Sequence, residues 1–484
     1  MPGTRVRVLS MFMDWARSDP MRIFWLAGLA GTGKTSIAIT LCRMLQADPG
    51  VLLGGAFFCS RIANVSEQMD ARCILPTLAV ALAEQWPSFA AALAQMLNTD
   101  SRAALKPIGL QIASLIQQPM TGITAPYCPI VFVIDALDEC NDENEVKRLL
   151  QAISTSGCCA TVKFILTSRP ETHIHASPIS STNNNSILRL HTIDTAEVTE
   201  DIRLYINDAF SWQPLDESWH TESEVAVLAT RAEGLFIFAS TIVSYILDSG
   251  SPARRRTRLQ NILSAVNTTA AIGPLDAMYE LVLNRAASPH RTDTDEIEEM
   301  KVVLACILVT NAPLSVRALA ELLNCPIANL HESLRRLHAV IHVPDDHDQP
   351  GLRTLHASFG DYLLERAADR IRISRSKGDE ALARGCLHIM QQRLHFNVSQ
   401  SRSSYEPNLP TTLDNISLSL MYACTQWVHH VLKLSPAVTF DSEICEIFWP
   451  RFLFWLEVMS VLGQVQRAAA MLISTSVTVC HTRN

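Results

Sequence analysis

A glycine-rich segment near the amino terminus carries the residue types needed to hold phosphate groups. Residues 28–35 read GLAGTGKT, in which backbone N–H groups can cradle phosphate oxygens, the lysine reaches the β- and γ-phosphates, and the threonine hydroxyl binds Mg²⁺. An apolar run at 23–26 precedes the segment and a helical pattern at 36–42 follows it. Strand, loop and helix is the order that such a site for ATP or ADP requires. The candidate binding residues are Gly28, Gly31, Thr32, Gly33, Lys34, Thr35 and Ser36.

An apolar run that ends in a carboxylate supplies a second part of such a site. Residues 131–139 read VFVIDALDE, and Asp135 stands at the carboxyl end of the predicted strand, where it could hold Mg²⁺ together with Thr35. Asp138 and Glu139 follow, and either could orient or deprotonate an attacking water. The alternative is that one of them only caps the next helix.

A third apolar run ends in residues that suit a phosphate site. Residues 163–171 read KFILTSRPE, so a predicted strand ends in Thr-Ser-Arg. Arg169 could sense or stabilise negative charge on the γ-phosphate. The tripeptide alone would be a weak signal, but it comes as the next strand after the DALDE segment.

The hydrophobic pattern predicts the elements that position these residues. From about residue 21 to 194, short apolar runs alternate with helical stretches, which indicates an α/β core with a parallel sheet buried on both faces. From residue 195 onward the strand signals fade and helical periodicity dominates. Strands are predicted at Ile23–Ala27, Gly54–Cys59, Ile130–Ile134, Lys163–Leu166 and Ile187–Leu190.

The length suggests about three domains, and breaks in the pattern divide the chain further. We predict a lead-in segment at 1–20, the α/β core at 21–194, a helical domain at 195–273, a winged helix at 274–372 and an all-helical region at 373–484. The winged helix is predicted because helices are followed by a strand at 340–343 and an acidic loop at 344–350. The aromatic stretch at 448–455 is interpreted as core, with a docking face as the alternative.

Composition narrows the class of protein. Hydrophobic residues make up 48% of the chain and charged residues 18%, which allows large cores and opposes wholesale disorder. The net charge of −8 opposes a dedicated nucleic-acid surface. Scattered cysteines without a C-x-x-C pair, no signal peptide and no apolar run of bilayer length together predict a cytoplasmic protein without a membrane span.

Together, the three motifs resemble those of the NACHT branch of the signal-transducing P-loop ATPases, above all the fungal NLR-like proteins and the nephrocystin-type NACHT modules. The resemblance runs from about residue 2 to 365 and includes the lead-in residues 2–5 and 14–15. The segment 233–239, EGLFIFA, is similar to the GLPLA-like helix opening of that family. Phe236 stands where many relatives have proline, so the adenine-side contact of that proline is not carried over.

One further segment of the resemblance concerns the predicted winged helix. Residues 355–363, LHASFGDYL, are similar to the LHxSFxDFL motif of that family, which implies that His356 contacts the β-phosphate of bound ADP. Taken alone, His356 would more often be a structural histidine at a helix start. A winged helix usually suggests DNA binding; here the acidic charge opposes it, and in that family the module is a lid over the nucleotide.

The resemblance implies a nucleotide-operated switch. ADP would keep the lid closed through His356, ATP would favour another lid position, hydrolysis would be slow if it occurs, and the active form would self-oligomerise. The effector and sensor domains of relatives are not visible in this sequence, so we expect a fragment, a truncated gene product or a subunit that works with separate partners. The alternatives are a nucleotide-binding scaffold without turnover, a small-molecule kinase and a DNA-binding ATPase regulator.

Overall fold

The computed structural model describes most of the 484 residues. The described residues are 3–60, 66–121, 123–124, 128–155, 161–171, 174, 185–190, 193–211, 219–248, 251–265, 273–286, 294–401, 410–434 and 440–481. They form two compact units, one of described residues up to Met278 and one of described residues from Tyr279 onward. Each unit is described by itself.

A parallel five-stranded sheet forms the centre of the first unit. Its strands are β1 (Ile23–Ala27), β2 (Leu52–Phe58), β3 (Ile130–Asp135), β4 (Val162–Ser168) and β5 (Asn185–Arg189), in the spatial order β2-β3-β4-β1-β5. Every residue of β1, β3 and β4 is buried, as expected for strands covered on both faces. The predicted α/β class is confirmed; β1 is found with the predicted ends, and the other four predicted strands are found with slightly different ends.

The strand order brings the three sequence motifs together. Strand β4 pairs with β1 on one side and with β3 on the other. Because all the strands are parallel, the loop after β1 and the ends of β3 and β4 lie at one edge of the sheet. This carboxyl edge is where open α/β sheets bind their ligands.

Helices surround this sheet and complete the first unit. They are α1 (Val6–Ser18), α2 (Lys34–Ala47), α3 (Ile74–Gln85), α4 (Pro87–Thr99), α5 (Ile108–Ile112), α6 (Gln118–Met120), α7 (Glu143–Thr155), α8 (Thr195–Ser211), α9 (Glu222–Arg231), α10 (Phe236–Leu247) and α11 (Pro252–Ala265). Short 3-10 turns lie at Ser66–Met69, Ala71–Cys73, Ala103–Leu105 and Leu137–Glu139, and a π-helical turn lies at Ala113–Gln117. The helix α12 (Pro274–Ala286) carries the boundary between the units.

Helix α1 is packed tightly onto the sheet. The ring of Phe24 in β1 lies 4.1 Å from that of Phe12 and 5.5 Å from that of Trp15. The buried ammonium group of Lys163 donates to the carbonyl oxygens of Trp15 and Asp19, each at 2.6 Å. These carbonyls belong to the last turn of α1 and the residue after it, and that of Trp15 also accepts from the backbone N–H of Asp19 at 3.3 Å. Lys163 of β4 therefore anchors the end of α1 to the sheet.

The described residues of the second unit are mostly helical. Two short antiparallel strands, β6 (Ile341–His342) and β7 (Arg353–Thr354), enclose the acidic segment 344–350. The helices are α13 (Thr294–Val309), α14 (Val316–Leu322), α15 (Ile327–Arg335), α16 (Ala357–Asp361), α17 (Arg375–Arg393), α18 (Leu418–Val431), α19 (Asp441–Val461) and α20 (Val465–His481), with further turns at Tyr362–Arg366 and Pro410–Asn415. The winged-helix assignment stays a prediction.

The aromatic stretch at 448–455 lies in α19 and faces two ways. The side chain of Trp455 is fully buried and donates from Nε1 to the carbonyl oxygen of Cys424 at 3.0 Å. Trp449 is 94% exposed, and Leu453 is also exposed. The interpretation as core therefore holds for one side of this helix only.

None of the described helices combines the length and apolar character that crossing a bilayer requires.

Candidate nucleotide-binding site

The loop after β1 has the backbone shape that a phosphate cradle needs. Gly31 and Gly33 have φ angles of 78° and 90°, in the region that only glycine adopts without a steric cost. A Cβ atom on Gly28 would lie 2.8 Å from Leu190 Cδ1 and 2.9 Å from Thr32 Oγ1, so a side chain does not fit there. The loop leads directly into α2, whose first N–H groups lack helical partners and carry partial positive charge.

The ammonium group of Lys34 lies against the loop. Its Nζ donates to the carbonyl oxygens of Gly28 at 2.7 Å and Leu29 at 3.0 Å. Burial lowers the pKa of Lys34, and the carboxylate of Asp138 counteracts this shift. Phosphate oxygens carry more charge than backbone carbonyls and accept stronger hydrogen bonds from an ammonium group. Lys34 is therefore placed to exchange these carbonyls for a bound phosphate.

A hydroxyl and a carboxylate meet where Mg²⁺ is expected. The Thr35 hydroxyl hydrogen-bonds to Asp135, which also accepts from Thr167 Oγ1 at 2.5 Å. Burial raises the pKa of Asp135, and the hydrogen bonds from the two threonines lower it. Oxygen ligands of this type suit Mg²⁺, which commonly takes one or two protein ligands and completes its shell with phosphate and water. Within the described ranges no cluster of three or more His, Cys, Asp or Glu could hold a metal ion.

The carboxylate of Asp138 is hydrogen-bonded to, and forms an ion pair with, Arg169. It accepts from the backbone N–H of Arg169 at 2.8 Å and lies 3.2 Å from Nε of the same residue. The Asp138 side chain is only 6% exposed, whereas Glu139 beside it is half-buried. The two carboxylates that the sequence left as alternatives therefore have different environments, and Glu139 is the better placed to meet a water molecule.

The backbone between Asp135 and Asp138 is strained at Ala136. Ala136 has φ of 55°, a left-handed conformation that costs a non-glycine residue about 1 kcal/mol or more. Its N–H donates to Thr167 Oγ1 at 2.9 Å, and the same hydroxyl donates to Asp135. Thr167 thus holds the end of β3 and the turn that carries Asp138 and Glu139. Both hydrogen bonds of the Thr167 hydroxyl are thus made within the protein.

Arg5 is a site residue that reasoning from the sequence did not single out. Its Nη2 donates to the carbonyl oxygen of Thr32 at 3.2 Å, and its backbone N–H donates to Asp201 Oδ2 at 3.1 Å. The guanidinium lies 5.1 Å from the centre of the Phe236 ring. Its Nε and Nη1 atoms have no hydrogen-bond partner among the described residues. Burial lowers the pKa of Arg5. The resemblance of the lead-in segment was the one signal that pointed here.

Helix α10 begins on the same loop. The backbone N–H of Ile237 donates to the carbonyl oxygen of Gly31 at 3.1 Å. The Phe236 ring would lie 3.9 Å from a Cβ atom on Gly33. The phenylalanine that replaces the proline of many relatives therefore packs between the loop and Arg5, and we derive no adenine contact from it.

The predicted loop and strand-end residues are all found at the carboxyl edge of the sheet in the first unit. Ser36 is exposed on the first turn of α2. His356 belongs to the second unit, where its Nδ1 accepts from the backbone N–H of Ser358 at 3.1 Å and so caps α16. This is the structural role that the residue alone suggested, and the contact with ADP stays a prediction.

Comparison with known proteins agrees with this geometry. Residues 3–169 match the family described as Nephrocystin 3, N-terminal. The vegetative incompatibility protein HET-E-1 of Podospora anserina is 23% identical over 498 aligned residues, which cover 93% of this chain and 34% of that protein. The chain carries a NACHT-type P-loop NTPase domain. The matched range of this NACHT-type domain contains the loop, Asp135 and Arg169. The chain spans about a third of the length of the curated relative it matches.

Solved structures show a more distant likeness. One similar structure is a signal transduction ATPase with numerous domains (STAND) from Pyrococcus horikoshii, which has a tetratricopeptide repeat sensor. It shares 13% identity with this chain, the alignment covers 99% of this chain and 64% of that protein's chain, and the TM-score is 0.38. Cdc6p from Pyrobaculum aerophilum shares 10% identity, covers 79% and 94%, and has a TM-score of 0.35. We draw no conclusion from TM-scores of this size. The fold of the NACHT-type domain follows from its own sheet order and loop.

Proposed function

We propose that this protein is a nucleotide-operated switch in NLR-like signalling, which binds ATP or ADP with Mg²⁺ at the loop 28–35. One observation carries the proposal: the Lys34 ammonium, the Thr35–Asp135 hydrogen bond and the Arg169–Asp138 pair lie together at the edge of one sheet. A phosphate group needs donors, a metal ligand set and a guanidinium in one place. HET-E-1 is a vegetative incompatibility protein, which supports the signalling class.

The binding step uses groups that are already in place. Lys34 would leave the carbonyl oxygens of Gly28 and Leu29 for the β- and γ-phosphates, and the first N–H groups of α2 would donate to phosphate oxygens. Thr35 and Asp135 would hold Mg²⁺, which neutralises phosphate charge when bound. Phe236 and Arg5 support the loop from the side of α10 and α1.

Hydrolysis, as we propose it, is slow. Glu139 would orient the attacking water, because Asp138 is already bonded to Arg169 through two contacts. A γ-phosphate would have to compete with a buried carboxylate for the Arg169 guanidinium. That competition weakens the stabilisation of transition-state charge, which favours a long-lived ATP state over rapid turnover.

The switch itself needs a second conformation that ATP and ADP distinguish. We propose that His356 contacts the β-phosphate of ADP and keeps the predicted winged-helix lid closed, and that the ATP form self-oligomerises. A nucleotide shifts two conformations only through the difference between its affinities for them, and an almost complete shift needs about 5.5 kcal/mol. The resemblance to NACHT proteins supports this part of the proposal.

The nucleotide carried by the purified protein tests the proposal. The protein is denatured, the released nucleotide is identified by chromatography, and multi-angle light scattering gives the mass of the same sample. We expect ADP in a monomer, and loss of the nucleotide in Lys34→Ala. A folded protein that neither retains, binds nor hydrolyses nucleotide would contradict the switch and favour a scaffold without turnover.

A further inference from the structure

Two buried cysteines meet beside the catalytic segment of the proposed site. The Sγ atoms of Cys59 and Cys140 are 3.5 Å apart, and both side chains are buried. Cys59 directly follows β2, and Cys140 directly follows Glu139. Each is free and unlinked, so the two sulfurs are in contact as thiols.

The backbone around both thiols is tied to the nucleotide site. The N–H of Cys59 donates to the carbonyl oxygen of Asp135 at 3.0 Å, and the N–H of Cys140 donates to that of Leu137 at 3.3 Å. On the other side, the N–H of Asn141 donates to the carbonyl oxygen of Met69 at 2.9 Å. A bond between these two sulfurs would therefore restrain the turn that carries Glu139.

We propose that Cys59 and Cys140 form a reversible disulfide when the protein meets a peroxide, and that this bond slows ATP hydrolysis. A disulfide needs its sulfurs at about 2.05 Å, so the two sulfurs would have to approach by about 1.5 Å from their contact distance. Water is excluded from the pair by burial, and the neighbouring thiol is the nearest nucleophile for an oxidised sulfur. The effect on hydrolysis rests on the proposed function, whereas the bond itself does not.

The chemistry balances with hydrogen peroxide as the oxidant. The Cys140 thiolate attacks one peroxide oxygen, the O–O bond breaks, and a sulfenic acid and one water are formed once the thiol proton is counted. The Cys59 sulfur then attacks the sulfenic sulfur, the S–S bond forms, the S–O bond breaks, and a second water leaves with the remaining thiol proton. The two thiols together lose two electrons and two protons.

The two reduced thiols are shielded from oxidants in solution. Both side chains are buried, which limits the access of an oxidant to either sulfur, and the susceptibility of a cysteine to oxidation depends on its exposure. We place the first attack on Cys140, because it directly follows the half-buried Glu139, and expect the buried pair to react more slowly than the exposed Cys445. Opening of the Glu139 turn would admit the oxidant.

A peptide map of the full chain tests the bond directly. The protein is treated with hydrogen peroxide, remaining thiols are blocked with iodoacetamide, and peptides are analysed by mass spectrometry without a reductant. We expect a linked pair that carries Cys59 and Cys140, about 2 Da lighter than the two separate peptides, and its loss after dithiothreitol. Cys59→Ser and Cys140→Ser should remove the linked pair. Cys73→Ser, a half-buried thiol nearby in the sequence of the same unit, should keep it.

The peptide map of the wild-type protein tests the disulfide even if a serine variant fails to fold. Recovery of both cysteines as separate alkylated peptides, after Cys445 is fully oxidised, would overturn the proposal. In the oxidised protein we expect ATP hydrolysis to fall roughly threefold or more while the affinity for ATP changes less than about twofold. A linked pair with unchanged hydrolysis would overturn the regulatory part. A protein that binds no nucleotide in either redox state would instead contradict the proposed function, and the peptide map would still report on the bond.

Discussion

At the scale of single residues, the neighbouring carboxylates of Asp138 and Glu139 have different environments. Asp138 is bonded to Arg169, whereas Glu139 is half-buried beside it. If Glu139 orients the attacking water as proposed, Glu139→Gln should lower ATP hydrolysis about 100-fold or more. ATP affinity should be kept, because the change removes the negative charge and leaves the shape of the side chain.

Asp138→Asn is the matched variant for this prediction. It leaves the Arg169 guanidinium without its carboxylate, so we expect lower stability and a changed affinity for ATP relative to ADP. Calorimetric binding and single-turnover hydrolysis separate the two effects. Equal hydrolysis rates in Glu139→Gln and wild type would show that Glu139 does not act on water.

Lys34 provides a second prediction at this scale. A hydrogen bond to a charged group is worth about 1.5–3 kcal/mol, so Lys34→Ala should weaken ATP binding by roughly 10- to 100-fold or more. Arg43→Ala is the control, because Arg43 is an exposed cation further along the same helix and should leave binding unchanged. Calorimetry on both variants checks the assignment, and an unaltered affinity in Lys34→Ala would refute it.

We expect His429 in α18 to make the free energy of unfolding depend on pH. Burial, together with Lys433 and His430, lowers the pKa of His429 from 6.5 to about 4. Below pH 6.5 the unfolded chain therefore takes up a proton that the folded protein accepts only near pH 4, so stability falls as the pH falls through this window. Because the side chain is only partly buried, we expect this histidine to account for a loss of about 1–2 kcal/mol.

The loss is measured as the free energy of unfolding of wild type and His429→Gln from neutral pH to pH 4. The difference between the two proteins should change across this window. His395→Gln, at an exposed histidine, should follow the wild-type curve. Parallel curves for wild type and His429→Gln would exclude the buried neutral histidine as a source of acid sensitivity.

At the scale of elements, α1 connects the amino-terminal segment to the loop. Arg5 precedes the helix and is bonded to Thr32 and Asp201, while Lys163 is bonded to its last turn. Both ends of this helix are therefore bonded to buried charged groups, Asp201 at its start and Lys163 at its end. We infer that α1 is part of the nucleotide domain and fixes the position of the loop.

Arg5→Ala tests this role of α1. The change removes a buried guanidinium that lies 4.0 Å from Asp201 and donates to the carbonyl oxygen of Thr32, whereas the backbone N–H of residue 5 still donates to Asp201. Loss of one partner of a buried ion pair costs up to about 3–5 kcal/mol, and we expect ATP affinity to fall by roughly 10-fold or more. Arg7→Ala is the control on the same helix. Arg7 pairs with Glu197 of α8 at 3.3 Å, but its side chain is 69% exposed, and such pairs contribute only about 0–1 kcal/mol.

Both variants are compared by calorimetry at a temperature where circular dichroism shows each one folded. Equal loss of affinity in Arg5→Ala and Arg7→Ala would mean that general destabilisation, and not support of the loop, explains the effect. Arg5→Lys should restore charge but not the fork of donors, so we expect only partial recovery.

At the scale of the whole molecule, the proposed switch depends on His356 of the second unit. Because His356 caps α16 through Ser358, His356→Ala would remove a cap as well as the proposed contact with ADP. An asparagine at this position also caps helices well. His356→Asn therefore separates the two roles.

If His356 holds ADP, both His356→Ala and His356→Asn should release ADP faster and contain more oligomer than wild type. Stopped-flow release of a fluorescent ADP and light scattering measure these outcomes. Recovery of wild-type release by His356→Asn would show that the histidine acts only as a helix cap, and the proposed latch would be withdrawn.

Part of this organisation can be predicted from the sequence because the signals are local. The glycines of the loop, the apolar runs before Asp135 and Arg169 and the lysine that follows Gly33 are all defined by residues next to one another. Strand β1 is found where it was predicted, whereas β2 and β5 begin two residues earlier. The ends of strands depend on pairing with neighbouring strands, which an apolar run does not report.

The amino-acid sequence by itself determined the phosphate-loop chemistry and the α/β class, since residue type and short-range periodicity are sufficient for both. Only the tertiary structure decided which partners these groups have. Strand β4 lies between β1 and β3, and Asp138 pairs with Arg169. Asp201 accepts from the backbone of Arg5, and the sulfurs of Cys59 and Cys140 are in contact. These pairs are distant along the chain, so their contact arises from the packing of the sheet and its helices and leaves no local trace in the sequence.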